Sequence, residues 1–446
     1  MEGTHGRGRG SRRVLTGRAV RGAHPGAVVA PLAPAVAASL APGRTATGGG
    51  LGHPHATPLG TFAGIAYTQY DGLLEGRSST GEYRVPYRIT APTHPRRGNR
   101  TVLVEPSHFA VGLGTLNAYL RRDYLFARGF SHAGIGWSTA TFGKGLRILD
   151  PTVPGVFING GIEEQGGRTD DEIIVDFARA LAVDREARSM LGRVRHRYVV
   201  GFSDSAQPVL RVVRSGSAAG VFDLALPFTT QGIDPQAALA AGLFAGKIMI
   251  VNSEFDASAS LVDRGQSPRQ YRFYAVAGTP HIPDLFGPFI PSNRTTPASF
   301  QPALRAHFLQ ADRWVKRGTR PPSSTHLKTS LGDTLDRDAN GNAISVDAGG
   351  PVPRLPIIEI GEARFISGFV GSYDGVKSIQ DLGFASHHKY VKAFADKLAD
   401  YVKAGYMSNE DATAMRERAA LCPPLTFTET YRDHYDAFTA IVPCGG

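Results

Sequence analysis

The chain has 446 residues, more than the roughly 250–300 at which a single hydrophobic core stops growing, so one large domain with extensions is expected. Its 42% hydrophobic and 20% charged residues are ordinary globular values and exclude a wholly disordered chain. The net charge of +10 is uneven: seven arginines against one glutamate fall in the first fifty residues, leaving a mildly basic body without the basic stripes, zinc-finger spacing or RNA-binding signature of a nucleic-acid partner.

The Arg-rich start carries Gly, Ala and Pro and no lysine. Ser11-Arg12-Arg13-Val14-Leu15 resembles a twin-arginine motif, and an uncharged small-residue stretch follows from Ala27 to Pro42. Residues 1–55 are therefore expected to be a disordered tail or an export signal, and in neither case part of the fold. No run approaches the roughly 18 apolar residues of a membrane span.

Short apolar runs then alternate with helical patterns, the form of a parallel sheet with crossover helices. Strands are predicted over 101–105, 132–137, 197–200, 223–227, 247–252 and 271–277. Several are continuous apolar runs, as in strands buried on both faces. Thr169-Asp170-Asp171-Glu172 has capping-box form ahead of Ile173, Ile174, Phe177 and Leu181, which form one helical stripe. A helix over 300–314 is closed by Gly318 and the breakers Pro321 and Pro322, so the core is expected to span 56–325 and an extension 326–446. Within the extension, Asp336, Asp338, Asn340, Gly341 and Asp347 imitate a calcium loop, but no helical pattern flanks them, and Asn340-Gly341 also makes an ordinary tight turn. A helix carrying Val391, Phe394, Leu398, Tyr401 and Val402 follows, then another after Asn409. Cys422 and Cys444, the only cysteines, fit no metal or redox spacing and either pair in an oxidising compartment or stay unpaired.

The stretch "GFSDSA" from Gly201 follows the run Tyr198-Val199-Val200. A strand, a tight turn and a helix form the context in which G-x-S-x-G acts as a nucleophile elbow, with small residues two before and two after the serine. Ser203 meets this with Gly201 and Ser205; Ser205 would have Ser203 and bulky Gln207. The same stretch also reads as an ordinary turn with a capping serine and Pro208 in the first helical turn.

The order of residues further along the chain distinguishes the two readings. A serine hydroxyl needs an imidazole base, and the imidazole needs a carboxylate that fixes its tautomer. On this fold they come in the order Ser, acid, His. The strand ending at Asn252 runs into Ser253-Glu254-Phe255-Asp256, and the strand ending at Ala277 into Thr279-Pro280-His281. His281 is the expected base and Asp256 the expected acid, with Glu254 as its rival. Oxyanion donors are expected from the N–H of Asp204 and from the loop holding Ser107, His108 and Phe109.

On the stretches "YVVGFSDSAQPVLR", "IMIVNSEFD", "VAGTPH", "DRWVKRGTRPPSS" and "DRDANGNAISVDAGGPVPRLP", the chain resembles the α/β-hydrolase superfamily, and within it the bacterial alpha/beta hydrolase domain family of serine esterase-like proteins. The resemblance spans about Tyr67 to Gly446. It implies an α/β fold with a mostly parallel sheet, a C-terminal cap, a Ser203–His281–Asp256 triad and cleavage of a small-molecule carboxylic ester without a cofactor. Amide, lactone or polyester cleavage and a catalytically silent binding protein remain alternatives. The sequence departs from the family at Ala206, where glycine is usual, and at Asp204, a carboxylate in place of a neutral residue; a charge there would disfavour anionic substrates.

Gly112-Leu113-Gly114 lacks the third glycine of a dinucleotide fingerprint, and His53, His55, His387 and His388 lack further ligands for zinc, so no cofactor and no metal are expected. Oligomeric state has no signature in the sequence.

Overall fold

A computed structural model of the chain describes residues 50–108, 112–114, 119–120, 122–137, 147–149, 157–159, 170–257, 261–282, 296–330, 334–347, 350–351 and 354–421. The Arg-rich start, Phe109 and both cysteines lie outside these residues.

Strands follow in chain order as β1 (Gly50–Leu51), β2 (His55–Phe62), β3 (Ile65–Ser78), β4 (Gly81–Pro92), β5 (Thr101–Pro106) and β6 (Ser131–Ile135). A separate hairpin is formed by β7 (Arg147–Leu149) and β8 (Phe157–Asn159). Then come β9 (His196–Phe202), β10 (Leu224–Phe228), β11 (Lys247–Ser253), β12 (Tyr271–Val276), β13 (Thr325–Leu327), β14 (Ser345–Asp347) and β15 (Gly350–Pro351). A last hairpin pairs β16 (Arg364–Ile366) with β17 (Ser372–Asp374). The main sheet runs β1-β3-β4-β6-β5-β9-β10-β11-β12-β13-β14-β15, with β2 on β3. From β6 through β13 every pairing is parallel; the two ends are antiparallel.

All six strands expected from apolar runs are present, each within two residues of its expected bounds. Their side chains alternate between two layers, as a pleated strand buried on both faces requires. Val199 faces the helices Asp171–Val183 and Ala206–Ser215, whereas its neighbours Tyr198 and Val200 face the helix Gln301–Arg317. Each fully buried side chain of this size stabilises the fold by roughly 1.5–3 kcal/mol. A third cluster gathers Leu355, Ile358, Phe365, Tyr390, Phe394 and Leu398 from the C-terminal part.

Two features lie outside the expected pattern. Ordered strands start at Gly50, inside the stretch expected as tail, and β2–β4 form a long antiparallel end to the sheet. Beyond residue 325 the chain adds β13, β14 and β15 to the same sheet before its helices begin. In the calcium-like loop two carboxylates are engaged within the protein. Asp338 accepts the N–H groups of Asn340 and Asn342 and pairs with Arg354, and Asp336 pairs with Lys328.

The sheet order places the site. Chain progression reverses between β5 and β9: β6 lies on the outer side of β5, and β9 and β10 run the other way. In open parallel sheets, the crevice outside the carboxyl ends of the strands at such a reversal receives ligands. Ser107 and His108 follow β5, and Ser203 follows β9.

Candidate active site

Between β9 and the helix Ala206–Ser215 stands a single 3-10 turn, Ser203–Ser205. Ser203 has φ of 53°, a left-handed conformation that strains any residue with a Cβ and persists only where the surroundings impose it. Gly201 shows how tightly strand and helix approach, because a Cβ there would lie 2.3 Å from the Ser205 carbonyl oxygen. Ser205, in place of a second glycine, is fully buried and ties the turn shut. Its Oγ accepts the Phe202 N–H at 2.9 Å and donates to the Phe202 carbonyl at 2.9 Å.

The loops after β11 and β12 bring up the partners. His281 Nε2 lies 2.8 Å from Ser203 Oγ, and its Nδ1 lies 2.8 Å and 3.0 Å from the two carboxylate oxygens of Asp256. With Nδ1–H donated to the carboxylate, Nε2 is left to accept the serine proton. Asp256 is buried and held in turn: Ser253 Oγ donates to its Oδ2 at 2.6 Å, and Asn252 Nδ2 donates to its carbonyl at 2.9 Å. Neither Ser253 nor Asn252 is among the expected site residues, although a serine three residues before an aspartate is a signal for a side-chain-closed turn.

Glu254 has different partners. Its Oε2 accepts the Gly278 N–H at 2.6 Å, while Oε1 takes Arg337 at 3.0 Å and Ser367 at 2.8 Å. It joins the histidine loop to the C-terminal segment and makes no hydrogen bond to His281. That segment also reaches the histidine directly. The His281 N–H donates to the Gly368 carbonyl at 3.0 Å, the Ile282 N–H to the Phe369 carbonyl at 2.8 Å, and the Phe369 ring stacks 5.0 Å from the imidazole. A contact 88 positions down the chain leaves no trace in local pattern.

On the oxyanion side the backbone expectation changes. The N–H of Ser107 donates to Ile135 at 2.8 Å and that of His108 to Gly112 at 3.0 Å, so neither amide is available to a substrate oxygen. Ser107 Oγ is buried with no hydrogen-bond partner among the described residues, and the His108 ring packs 5.5 Å from that of Phe202. Burial, helped by the nearby His281, pushes the His108 imidazole down to about 4, so it is neutral at pH 7. Asp204 lies in the first turn of a helical segment that begins at Ser203, where N–H groups have no intrahelical acceptor. Burial raises the Asp204 carboxyl above its ordinary value, against the opposing pull of Arg211.

Among the described residues, no group of three or more His, Cys, Asp or Glu could hold a metal ion, and no helix is long and apolar enough to cross a membrane.

A search of curated proteins finds no match. Solved structures similar to the chain include an S-formylglutathione hydrolase from Agrobacterium tumefaciens, at 9% identity and a TM-score of 0.28, covering 48% of this chain and 81% of that one. A cold-adapted esterase from an Arctic intertidal metagenomic library is 17% identical with a TM-score of 0.26, covering 42% of this chain and 73% of that one. The siderophore hydrolase EstB from Aspergillus nidulans is 14% identical with a TM-score of 0.27, covering 41% and 69%. The family model described as alpha/beta hydrolase domain matches residues 66–417. That match begins in β3 and ends in the last helix, taking in the serine turn and both loops that meet it: the chain belongs to the α/β-hydrolase domain family.

Proposed function

We propose that the protein is a serine hydrolase that cleaves a carboxylic ester through an acyl-enzyme. The observation that carries this reading is the unbroken hydrogen-bond chain from Ser203 Oγ through His281 to Asp256, with the serine held at positive φ. Ser203 Oγ attacks the ester carbonyl as His281 Nε2 takes its proton. Asp256 holds the imidazole in the competent tautomer and stabilises the imidazolium. The carbonyl oxygen becomes an oxyanion, for which the Asp204 N–H is a donor placed at the elbow, with Ser107 Oγ as a second. Collapse breaks the ester C–O bond, and the imidazolium returns its proton to the leaving alkoxide. Water, deprotonated by His281, then attacks the acyl-serine, and the acid is released with Ser203 restored.

The test is labelling with a fluorophosphonate alongside hydrolysis of short-chain esters. Wild type is expected to take one label and to turn over ester, and Ser203→Ala to do neither. Folded wild type that takes no label and cleaves no ester would leave the arrangement a silent relic and overturn the reading.

A further inference from the structure

Six large apolar side chains stand exposed among the described residues, and the only two aromatic ones, Phe255 at 42% and Phe369 at 54%, both flank His281. Phe369 lies nearly parallel to the imidazole, 19° off at 5.0 Å, and Phe255 meets it edge-on at 6.0 Å. Their own centroids are 6.5 Å apart at 77°, which leaves a corner open to solvent. The backbone beneath both rings is anchored. Phe255 sits in the turn closed by Ser253 and Asp256, and the Phe369 carbonyl accepts the Ile282 N–H. Paired exposed rings against a reacting group form an apolar surface that water solvates poorly, and such surfaces mark ligand contacts.

We infer that Phe255 and Phe369 form an apolar subsite for the alcohol portion of the ester, so that the substrates are esters of aromatic or multi-carbon alcohols. The inference rests on the function proposed above. When the tetrahedral intermediate collapses, His281 Nε2 delivers its proton to the leaving oxygen, which must then lie on the histidine side of Ser203. The group attached to that oxygen extends along the rings that border the imidazole. The two rings offer no hydrogen-bonding group, so a charged or polyhydroxylated alcohol gains nothing there. Once the alcohol has left, the rings touch nothing that remains on the acyl-serine.

The experiment uses the full chain and two ester series: methyl, butyl and benzyl acetate, and methyl esters of acetic to hexanoic acid. Wild type, Phe255→Ala, Phe369→Ala and the milder Phe369→Leu are compared by kcat/KM, with hydrolysis of the shared acetyl-enzyme followed separately. Wild type is expected to favour benzyl over methyl acetate. Each alanine variant is expected to shrink that ratio about tenfold, the worth of a few apolar carbons in a pocket, and Phe369→Leu less. Acyl preference should not change, and any slowing of deacetylation should be smaller than the loss on benzyl acetate. A uniform fall on all esters matched by an equal fall in deacetylation would mean the rings only hold His281 and would overturn the inference, as would an unchanged benzyl-to-methyl ratio in both alanine variants. Wild type that takes no fluorophosphonate and cleaves no ester would sink the underlying reading and the inference with it, an outcome distinct from active enzyme with indifferent rings.

Discussion

Asp256 and Glu254 stand two positions apart on one loop, both buried, and their partners alone tell them apart. Asp256 faces Nδ1 of His281, and Glu254 fastens Gly278, Arg337 and Ser367. The sequence holds both in the required order but cannot choose between them, because the choice depends on which way a four-residue loop turns its side chains. Removing the Asp256 charge while keeping its shape leaves the imidazole free to adopt the wrong tautomer. Asp256→Asn is therefore expected to lower kcat by about 10⁴. Glu254→Gln should keep turnover within about tenfold, the allowance for a base held less firmly. Losing its charge from hydrogen bonds to a half-exposed arginine and a serine should cost roughly 1–2 kcal/mol, read as an earlier urea midpoint. Equal kinetic losses in the two variants would refute this division of roles.

At the level of elements, legibility followed burial. Strands β5, β6 and β9 to β12 are covered on both faces and read as apolar runs. Strands β2, β3 and β4 form the antiparallel end, with many half-exposed positions, and their composition hides them. Asp71-Gly72 in the middle of β3 looks like a turn. In the fold, Gly72 is a strand residue because the Tyr87 ring lies across it, with a Cβ there only 2.5 Å from the Tyr87 hydroxyl. Asp71 is held by the buried Arg88 opposite it in β4. The helices beyond residue 325 were legible from periodicity, but what binds them to the core was not. Arg305, fully buried on the helix Gln301–Arg317, pairs with Asp411 on the helix Asn409–Ala420, Nη2 to Oδ1 at 2.5 Å and Nε to the same oxygen at 3.0 Å. Removing one partner of a buried pair is costly, so Asp411→Asn is expected to destabilise the fold, whereas replacing both partners together, as Arg305→Met with Asp411→Leu, should recover part of that loss. Urea unfolding of the three proteins checks it, and a double variant no more stable than Asp411→Asn would mean the pair itself carries the junction.

Sheet, long helix and C-terminal helices meet at one histidine, which makes the stability of the whole molecule sensitive to acid. His307 lies on the helix Gln301–Arg317 and stacks on Tyr274 of β12 at 3.5 Å. It also meets Tyr406, which follows the helix His387–Ala404, edge-on at 5.7 Å. Burial pushes its imidazole down to about 4, only partly opposed by its hydrogen bond to Gln310. His108, near His281, is lowered to about 4 as well. In the unfolded chain both titrate near their ordinary value of about 6.5. Above that pH both states are neutral, and the full stability is present. As the pH falls from about 6.5 toward 4 the unfolded chain takes up protons that the folded one refuses, so stability drains away, and below about 4 the loss levels off. By pH 5 each histidine should have cost about 2 kcal/mol. His307→Gln keeps a donor for Gln310 but cannot charge. It is expected to be weaker than wild type at pH 7, where the stack on Tyr274 is missed, yet to lose about 2 kcal/mol less between pH 7 and pH 5. The carboxylates that also titrate there are common to both proteins, so the difference in urea midpoints isolates His307. Parallel curves for wild type and variant would mean that the histidine is protonated without strain and that the junction opens in acid for another reason.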